Sequence, residues 1–209
     1  MSGYTTIPYV IAYANELVQD PIRFERHANE LRLAYHRHRR SDWVHGILRA
    51  RVRDLHDSPS RRGPERMRKL NTHRQWRCMD KLLCQVCGGP ATDPKTGRIP
   101  WLLTNTVFEA TGENSGRTNA PPTCWNCLAK ALDECPMLQD NATLHTVTSA
   151  TSAGVLADLY GPAVFSDRPV LARQNIFIAW DAHRYHASAL ATSQVIELHG
   201  MRPALGLPK

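Results

Sequence analysis

The stretch Leu83-Cys84-Gln85-Val86-Cys87-Gly88-Gly89 places two thiols three positions apart and follows them with two glycines. Two thiolates at this spacing can bind one ion, and the glycines permit the tight turn in which backbone N–H groups face the sulfurs. A second pair stands in Pro122-Thr123-Cys124-Trp125-Asn126-Cys127. The two pairs together predict a tetrahedral four-cysteine site for one structural zinc ion, with the ligands Cys84, Cys87, Cys124 and Cys127.

A helix is predicted to carry the second cysteine pair. Thr123 is the expected N-cap and Pro136 ends the pattern. Apolar side chains and thiols recur between them at helical spacing: Cys124, Cys127, Leu128, Ala131, Leu132 and Cys135. The positive end of the helix dipole favours thiolate, which is the form that binds a metal.

The order of these segments resembles the treble-clef zinc finger over residues 82–136. The shared order is a C-x-x-C pair, a hairpin, a loop over 105–122 and a C-x-x-C pair on a helix. In the hairpin, Asp93-Pro94-Lys95-Thr96-Gly97 would be the turn and 98–104 the second strand. The resemblance implies a small zinc-stabilised unit.

A fainter resemblance covers part of the same region. The run from Arg74 to Ala91, the triplet Trp101-Leu102-Leu103, the Pro-Pro-Thr-Cys-x-x-Cys motif and the triplet Glu134-Cys135-Pro136 look like a set of uncharacterised actinobacterial cysteine-rich proteins. This resemblance implies no mechanism, but it supports treating these segments as one unit.

The donor set favours a structural metal. Four thiolates close the coordination sphere and leave no position for a reactive water. Iron is compatible with the same tetrahedral sulfur donors as zinc. Redox C-x-x-C chemistry is disfavoured because no thioredoxin-like βαβ pattern surrounds either pair. The two remaining thiols, Cys78 and Cys135, are predicted to be small core residues.

Two classes of zinc enzyme use similar scaffolds, and neither signature is complete. HNH nucleases resemble this region in their treble clef, but they need a histidine on the hairpin, and none lies between His73 and His145. Zinc deaminases need His-x-Glu or Cys-x-Glu upstream of their cysteine pair, and neither was found. No catalytic residue is therefore predicted here, and an HNH-like relative or an enzyme with a site elsewhere stays open.

A second metal site is the alternative outside the zinc region. Asp181, His183 and His186 would lie close together on a helix, where they could bind an ion. The competing interpretation is a polar turn before a last helix, because His pairs without further clustered ligands are weak signals.

The excess positive charge of the chain lies in its first two fifths. The 209 residues include 26 Lys and Arg and 19 Asp and Glu, a net charge of +7. Residues 1–83 hold 17 basic and 9 acidic residues, a net of +8, and residues 84–209 hold 9 and 10, a net of −1. Such asymmetry indicates an anionic partner for the basic half, most often nucleic acid, although a merely solvated basic surface has the same composition.

Six arginines are the best candidates for a nucleic-acid-binding face: Arg37, Arg39, Arg40, Arg49, Arg51 and Arg53. On adjacent strands their guanidinium groups would lie about 5 to 7 Å apart, near the spacing of phosphates along a strand. The alternative partners are an acidic protein surface and a second copy of the chain, in a zinc-stabilised interaction or assembly module.

Composition sets the broad class. With 42% hydrophobic and 22% charged residues the chain has enough apolar side chains for a core. The sequence has no run of eighteen apolar residues, so no membrane span is predicted. The first residues lack the pattern of a secretory signal. We therefore expect a cytoplasmic protein, whose thiols stay reduced in that compartment.

The predicted fold class is α+β, with small antiparallel sheets around a central zinc region and a few amphipathic helices. Residues 31–36 are expected to pair with 43–53, and 144–160 and 174–180 to be extended. Helices are expected over 64–83 and 188–198. The predicted parts are a basic β-rich part (1–63), a helix with the treble-clef-like region (64–140) and a C-terminal α+β part (141–209) within one compact fold.

Overall fold

A computed structural model of the chain describes residues 6–18, 20–28, 30–105, 115–139, 141–163 and 166–204. This part of the chain is α+β, as predicted, with three α-helices, α1 (Pro59–Arg62), α2 (Thr72–Lys81) and α3 (Trp125–Glu134). Its strands are β1 (Ile11–Tyr13), β2 (Ile22–His27), β3 (Glu30–Tyr35), β4 (Trp43–Val44), β5 (Ile47–Arg49), β6 (Glu65–Leu70), β7 (Ile99–Thr104), β8 (Ser115–Thr118), β9 (Ala142–Val147), β10 (Ser149–Ala163), β11 (Ser166–Ala179), β12 (Ala189–His199) and β13 (Arg202–Pro203).

The largest sheet has the strand order β11-β10-β12-β5-β4, and β8 also pairs with β12. Helix α2 packs on β12, where the Thr72 hydroxyl donates to the Thr192 carbonyl (2.9 Å) and Gln75 exchanges hydrogen bonds with the Gln194 backbone (2.9 and 3.0 Å). Trp76 on this helix joins the buried cluster of strand residues that includes Val155. The sheet and α2 therefore share one core.

Strand β12 replaces the helix predicted over 188–198, and that prediction is wrong. The segment is buried along most of its length because neighbouring strands and α2 surround it, so it lacks the alternation of a half-exposed strand. Gly200 turns the chain toward β13 with φ +60°, and a Cβ there would lie 2.5 Å from Thr148 Oγ1.

The single helix predicted over 64–83 is also wrong. Residues 65–70 form β6, which pairs with β1, and only Thr72–Lys81 is helical. Asn71 starts the helix, since its side chain accepts a hydrogen bond from the Arg74 backbone N–H (3.1 Å). The alternating exposure of Arg66, Met67 and Arg68 has the period of a strand.

The predicted pairing of 31–36 with 43–53 does not form. Strand β3 pairs with β2, while β4 and β5 make a short hairpin that joins the large sheet. The turn of that hairpin is His45-Gly46, and both residues have positive φ.

A third sheet, of order β13-β9-β7, packs against the region of the four cysteines. Trp101 of β7 is fully buried in the cluster that also holds Met79, Cys84 and Ile196. The predicted turn at 93–97 forms, with the Asp93 N–H donating to the Arg98 carbonyl (2.8 Å). Its expected hairpin does not form, because β7 pairs with β9.

The extended segments expected at 144–160 and 174–180 are confirmed by β9, β10 and β11. Residues 106–114 of the predicted loop lie outside the described part.

A buried ion pair joins the N-terminal segment to α2. The side chains of Arg74 and Glu16 are both fully buried, with Nη–Oε distances of 2.5 and 2.7 Å. Arg74 also donates to the Tyr9 and Ile11 carbonyls (2.6 and 2.8 Å) and to Asp54 Oδ1 (2.7 Å). The guanidinium therefore fixes β1 against the helix.

Hydrogen bonding keeps Glu16 ionised in this interior. Burial by itself raises the pKa of Glu16, but hydrogen bonds from Arg74, Tyr13 N–H and Leu55 N–H outweigh it and lower the pKa to about 2.

In the described part of the chain, no helix is long and apolar enough to span a bilayer.

Replacing Glu16 with Gln is expected to lower the free energy of unfolding by about 3–5 kcal/mol at neutral pH, because it leaves a buried guanidinium short of a carboxylate. The folded pKa of Glu16 lies below its ordinary value of 4.5. Its contribution is therefore present above about pH 4.5 and is lost as the pH falls toward 2. Urea unfolding at a series of pH values measures both effects. The exposed Glu30→Gln is the matched control, and an equally small change in both variants would contradict the prediction.

Candidate metal centre

The first cysteine pair lies in the turn that follows α2. Leu82 ends the helix in the left-handed conformation (φ 52°), and Leu83 bridges to Pro90, so Cys84 and Cys87 lie on one tight loop. The Gly88 N–H donates to the Cys84 carbonyl (2.8 Å) with φ +73° at Gly88. The predicted role of the glycines in this turn is confirmed at Gly88.

The second pair lies at the start of α3. The N-cap residue is Cys124, one position later than the predicted cap Thr123. Cys127 lies in the first turn of the helix. Thr123 instead accepts a hydrogen bond from Gln85 Nε2 (3.0 Å), and the Gln85 N–H donates to the Pro122 carbonyl (2.8 Å). These two bonds tie the two cysteine loops together.

All four sulfurs come together. The Sγ atoms of the four predicted ligands lie within 4.8 Å of one another, and the Cys87 and Cys124 sulfurs are 3.8 Å apart. Tetrahedral zinc with bonds of about 2.3 Å places its sulfurs about 3.8 Å apart, whereas a disulfide needs about 2.05 Å. The four cysteines therefore fit one tetrahedral ion. In the described part of the chain they are the one cluster of metal-binding side chains that could hold a metal.

The surroundings of the sulfurs are suited to thiolates with a cation. The Val86 N–H points at Cys84 Sγ (3.4 Å). Burial acts against the thiolate of Cys87, but a hydrogen bond from the Gly89 backbone and neighbouring thiols lower its pKa. Burial and the charge of Cys84 raise the pKa of Cys124 to about 11. A dication among the sulfurs would offset that repulsion, since metal binding deprotonates thiols.

The residues just before β1 contribute a contact that sequence reasoning missed. The N–H groups of Tyr9 and Val10 donate to the carbonyls of Val86 and Gln85 (3.0 and 3.2 Å), between the first two ligands. The Tyr9 ring lies so close to Gly88 that a Cβ there would be 3.0 Å from it. The apolar sequence around Tyr9 carries no signal for this partner.

The two remaining cysteines differ in burial. Cys78 is fully buried in α2, as predicted, and burial raises the pKa of its thiol to about 12. Cys135 is only half-buried and is the C-cap of α3, so it is not a full core residue. Neither belongs to the four-sulfur cluster. Trp76 is buried, whereas Trp125 is half-buried at the start of α3.

The predicted arginine face is divided between different environments. Three members are exposed in the loop and 3-10 turn after β3: Arg37, Arg39 and Arg40. Arg49 is half-buried in β5, with its guanidinium carbon 5.4 Å from the centre of the Trp76 ring, and Arg53 is exposed beyond that strand. The expectation that all six lie on two adjacent strands is wrong, because β3 and β5 are not neighbours.

Arg51 is held by carboxylates of the chain itself. It pairs with Asp20 (2.6 Å) and Asp42 (2.7 Å), donates to the Arg37 carbonyl (2.6 Å) and stacks on Tyr35. Its positive charge is therefore balanced within the protein. It fixes the loop that carries the exposed arginines.

Asp181, His183 and His186 are not assembled into a metal site in the described part of the chain. Residues 183–188 form a 3-10 helix, in which the two imidazole rings make an edge contact with centroids 5.0 Å apart. His186 is buried with its Nε2 3.5 Å from the Ala179 carbonyl, and Asp181 is exposed. The competing prediction of a polar turn describes this segment better, although a strand follows it.

No known protein family, no curated protein and no solved structure matches this chain.

Cys84→Ser and Cys127→Ser are each expected to abolish metal binding and the cooperative unfolding transition. Structural zinc contributes about 10–16 kcal/mol in zinc-finger peptides, which is comparable with the whole stability of a domain. Metal analysis of protein purified without chelator is expected to find one ion per chain and to distinguish zinc from iron. Cys135→Ser, outside the cluster, is the control and keeps the ion. Metal-free wild-type protein, or a Cys84→Ser variant of unchanged stability, would contradict the assignment.

Proposed function

We propose that this chain is a nucleic-acid-binding protein stabilised by a structural zinc ion. The observation that carries the proposal is the exposed loop 36–40, which presents three arginines within four positions: Arg37, Arg39 and Arg40. None of these three forms an ion pair with a carboxylate in the described part of the chain. Exposed guanidinium groups without carboxylate partners are suited to phosphate.

The loop is held in a fixed shape by its neighbours. The Arg51 guanidinium donates a hydrogen bond to the Arg37 carbonyl, and Asp42 Oδ2 accepts a hydrogen bond from the Arg39 N–H (2.6 Å). The His38 ring packs against Trp43, with centroids 5.1 Å apart. A loop that is already ordered loses less conformational entropy on binding, which supports affinity for a regular phosphate backbone.

The local charge also favours an anion. Arg51 pairs with both carboxylates beside the loop, Asp20 and Asp42, which leaves one negative charge in excess among these three side chains. Glu25 of β2 is paired with Arg32 (3.0 Å). The three exposed guanidinium groups of the loop outweigh that single charge, and the resulting positive field attracts phosphates and weakens with salt.

The zinc ion would serve the fold in this proposal. Coordinated by the four cysteine thiolates, it would cross-link the turn after α2 to the start of α3. We further propose that the region of the four cysteines is a treble-clef-like unit. In this unit β7 pairs with β9 and β8 pairs with β12, so β7 and β8 do not form a hairpin with each other. We place the protein in a reducing compartment such as the cytoplasm, where thiols remain available as ligands.

The test is binding of a labelled duplex and of a labelled single strand at several salt concentrations. Arg37→Glu, Arg39→Glu and Arg40→Glu combined are expected to weaken binding at least a hundredfold and to lower the slope of affinity against salt. The matched control is Arg66→Glu, Arg68→Glu and Lys69→Glu, an equal charge change on exposed residues of β6. Equal losses in both variants would show that net charge alone acts, and no binding by the wild type would overturn the proposal.

A second candidate, self-association, is favoured by one observation. In the described part of the chain β11 pairs only with β10, so its other edge forms no strand hydrogen bonds, although β2 contacts β11. The strand exposes Val170 and Leu171. Such an edge accepts a strand from another molecule. Light scattering is expected to find a dimer that Val170→Lys converts to a monomer, and a monomeric wild type would rule this candidate out.

A further inference from the structure

A cleft of about 530 Å³ opens between the β1–β6 sheet, the first cysteine loop and the end of α3. This volume lies in the range of small-molecule binding sites. Its walls are largely apolar: Val10, Ile11, Met67, Leu70, Val86 and Ala131. The cleft lies outside loop 36–40 and carries an inference independent of nucleic-acid binding.

The charges at the mouth of the cleft have one sign in excess. Arg68 and Lys130 line it together with Glu134. The Glu134 carboxylate is already engaged, since it accepts a hydrogen bond from the Thr6 N–H (3.0 Å) and lies 3.8 Å from Lys130 Nζ. Arg68 is exposed and forms no ion pair within the described residues. The mouth therefore offers one guanidinium to an incoming anion.

We propose that this cleft binds a small amphiphilic carboxylate, with its apolar body between β6 and α3 and its carboxylate at Arg68. The apolar walls account for the body of the ligand, because burying its surface is the main source of affinity in such sites. A guanidinium at the mouth accounts for the acid group, since charge-assisted hydrogen bonds to carboxylate are short and strong.

The cleft shares a wall with the metal centre. Gln85 and Val86 line it and lie between the ligands Cys84 and Cys87, and their carbonyls accept hydrogen bonds from the N–H groups of Val10 and Tyr9, just before β1. A ligand in the cleft therefore contacts the backbone that orients two metal ligands. Because a ligand that binds only the folded form stabilises it, occupancy is expected to slow the loss of zinc to a chelator.

The probes are decanoate and decanol, which share an alkyl chain and differ in the acid group. Calorimetry on the zinc-loaded full chain is expected to show decanoate binding with a micromolar dissociation constant. Arg68→Gln is expected to weaken decanoate about tenfold and to leave decanol unchanged, since a hydrogen bond to a charged group contributes about 1.5 kcal/mol or more. Arg66→Gln, an exposed neighbour on the same strand that does not line the cleft, is the control for general charge.

A filling variant tests the location independently. Ala131→Phe places a ring in the cleft from α3 and is expected to abolish binding of both probes and the protection of zinc, while the metal content stays at one ion per chain. Failure of the wild type to bind decanoate below 1 mM overturns the proposal, as does binding that Ala131→Phe leaves intact. Binding that requires removal of residues 1–5 also overturns it, since the occupant would then be the chain itself.

Discussion

The fully buried guanidinium of Arg74 sets the relation between the N-terminal segment and the rest of the fold. It bonds the Glu16 carboxylate, Asp54 and two carbonyls on or next to β1. A buried ion pair is expensive to desolvate, so it holds only where every donor finds an acceptor. Once β1 is fixed in this way, Tyr9 and Val10, which precede it, lie against the loop between Cys84 and Cys87. The position of the candidate metal centre thus depends on an interaction in the first turn of α2, at the other end of the helix from Cys84.

The metal centre and the arginine network restrain the same helix from two sides. Helix α2 carries Arg74 in its first turn and ends at the loop of Cys84. Gln75, one position further along, bonds to the backbone of β12 in the large sheet. An ion pair in the first turn, side-chain hydrogen bonds to β12 and the cysteine loop that follows the last turn therefore all act on this one helix of ten residues. A change in α2 is expected to affect the candidate metal site and the large sheet together.

The four metal ligands could be predicted from sequence because their signal is local. Each pair needs only a three-residue spacing and a turn, and α3 follows a helical pattern that no distant partner alters. The strand β12 could not be predicted in this way, because burial on both faces removes its alternation. Short apolar runs of that kind are ambiguous between helix and strand, and contacts with β10 and β5 decide the outcome. The role of Arg51 was missed for a related reason, since its partner Asp20 is 31 positions away.

The place of β12 in the large sheet has a consequence for the order of assembly during synthesis. Leu190 of this strand pairs with Leu48, and Ile196 pairs with Thr118, so β12 joins β5 and β8 to β10. The ribosome completes both cysteine pairs well before it reaches residue 189. All four cysteines of the candidate metal site are then present on a nascent chain whose large sheet still lacks a central strand. Since contacts between distant residues form slowly, β5 and the apolar faces of β10 stay open to chaperones and to other chains until this late strand arrives.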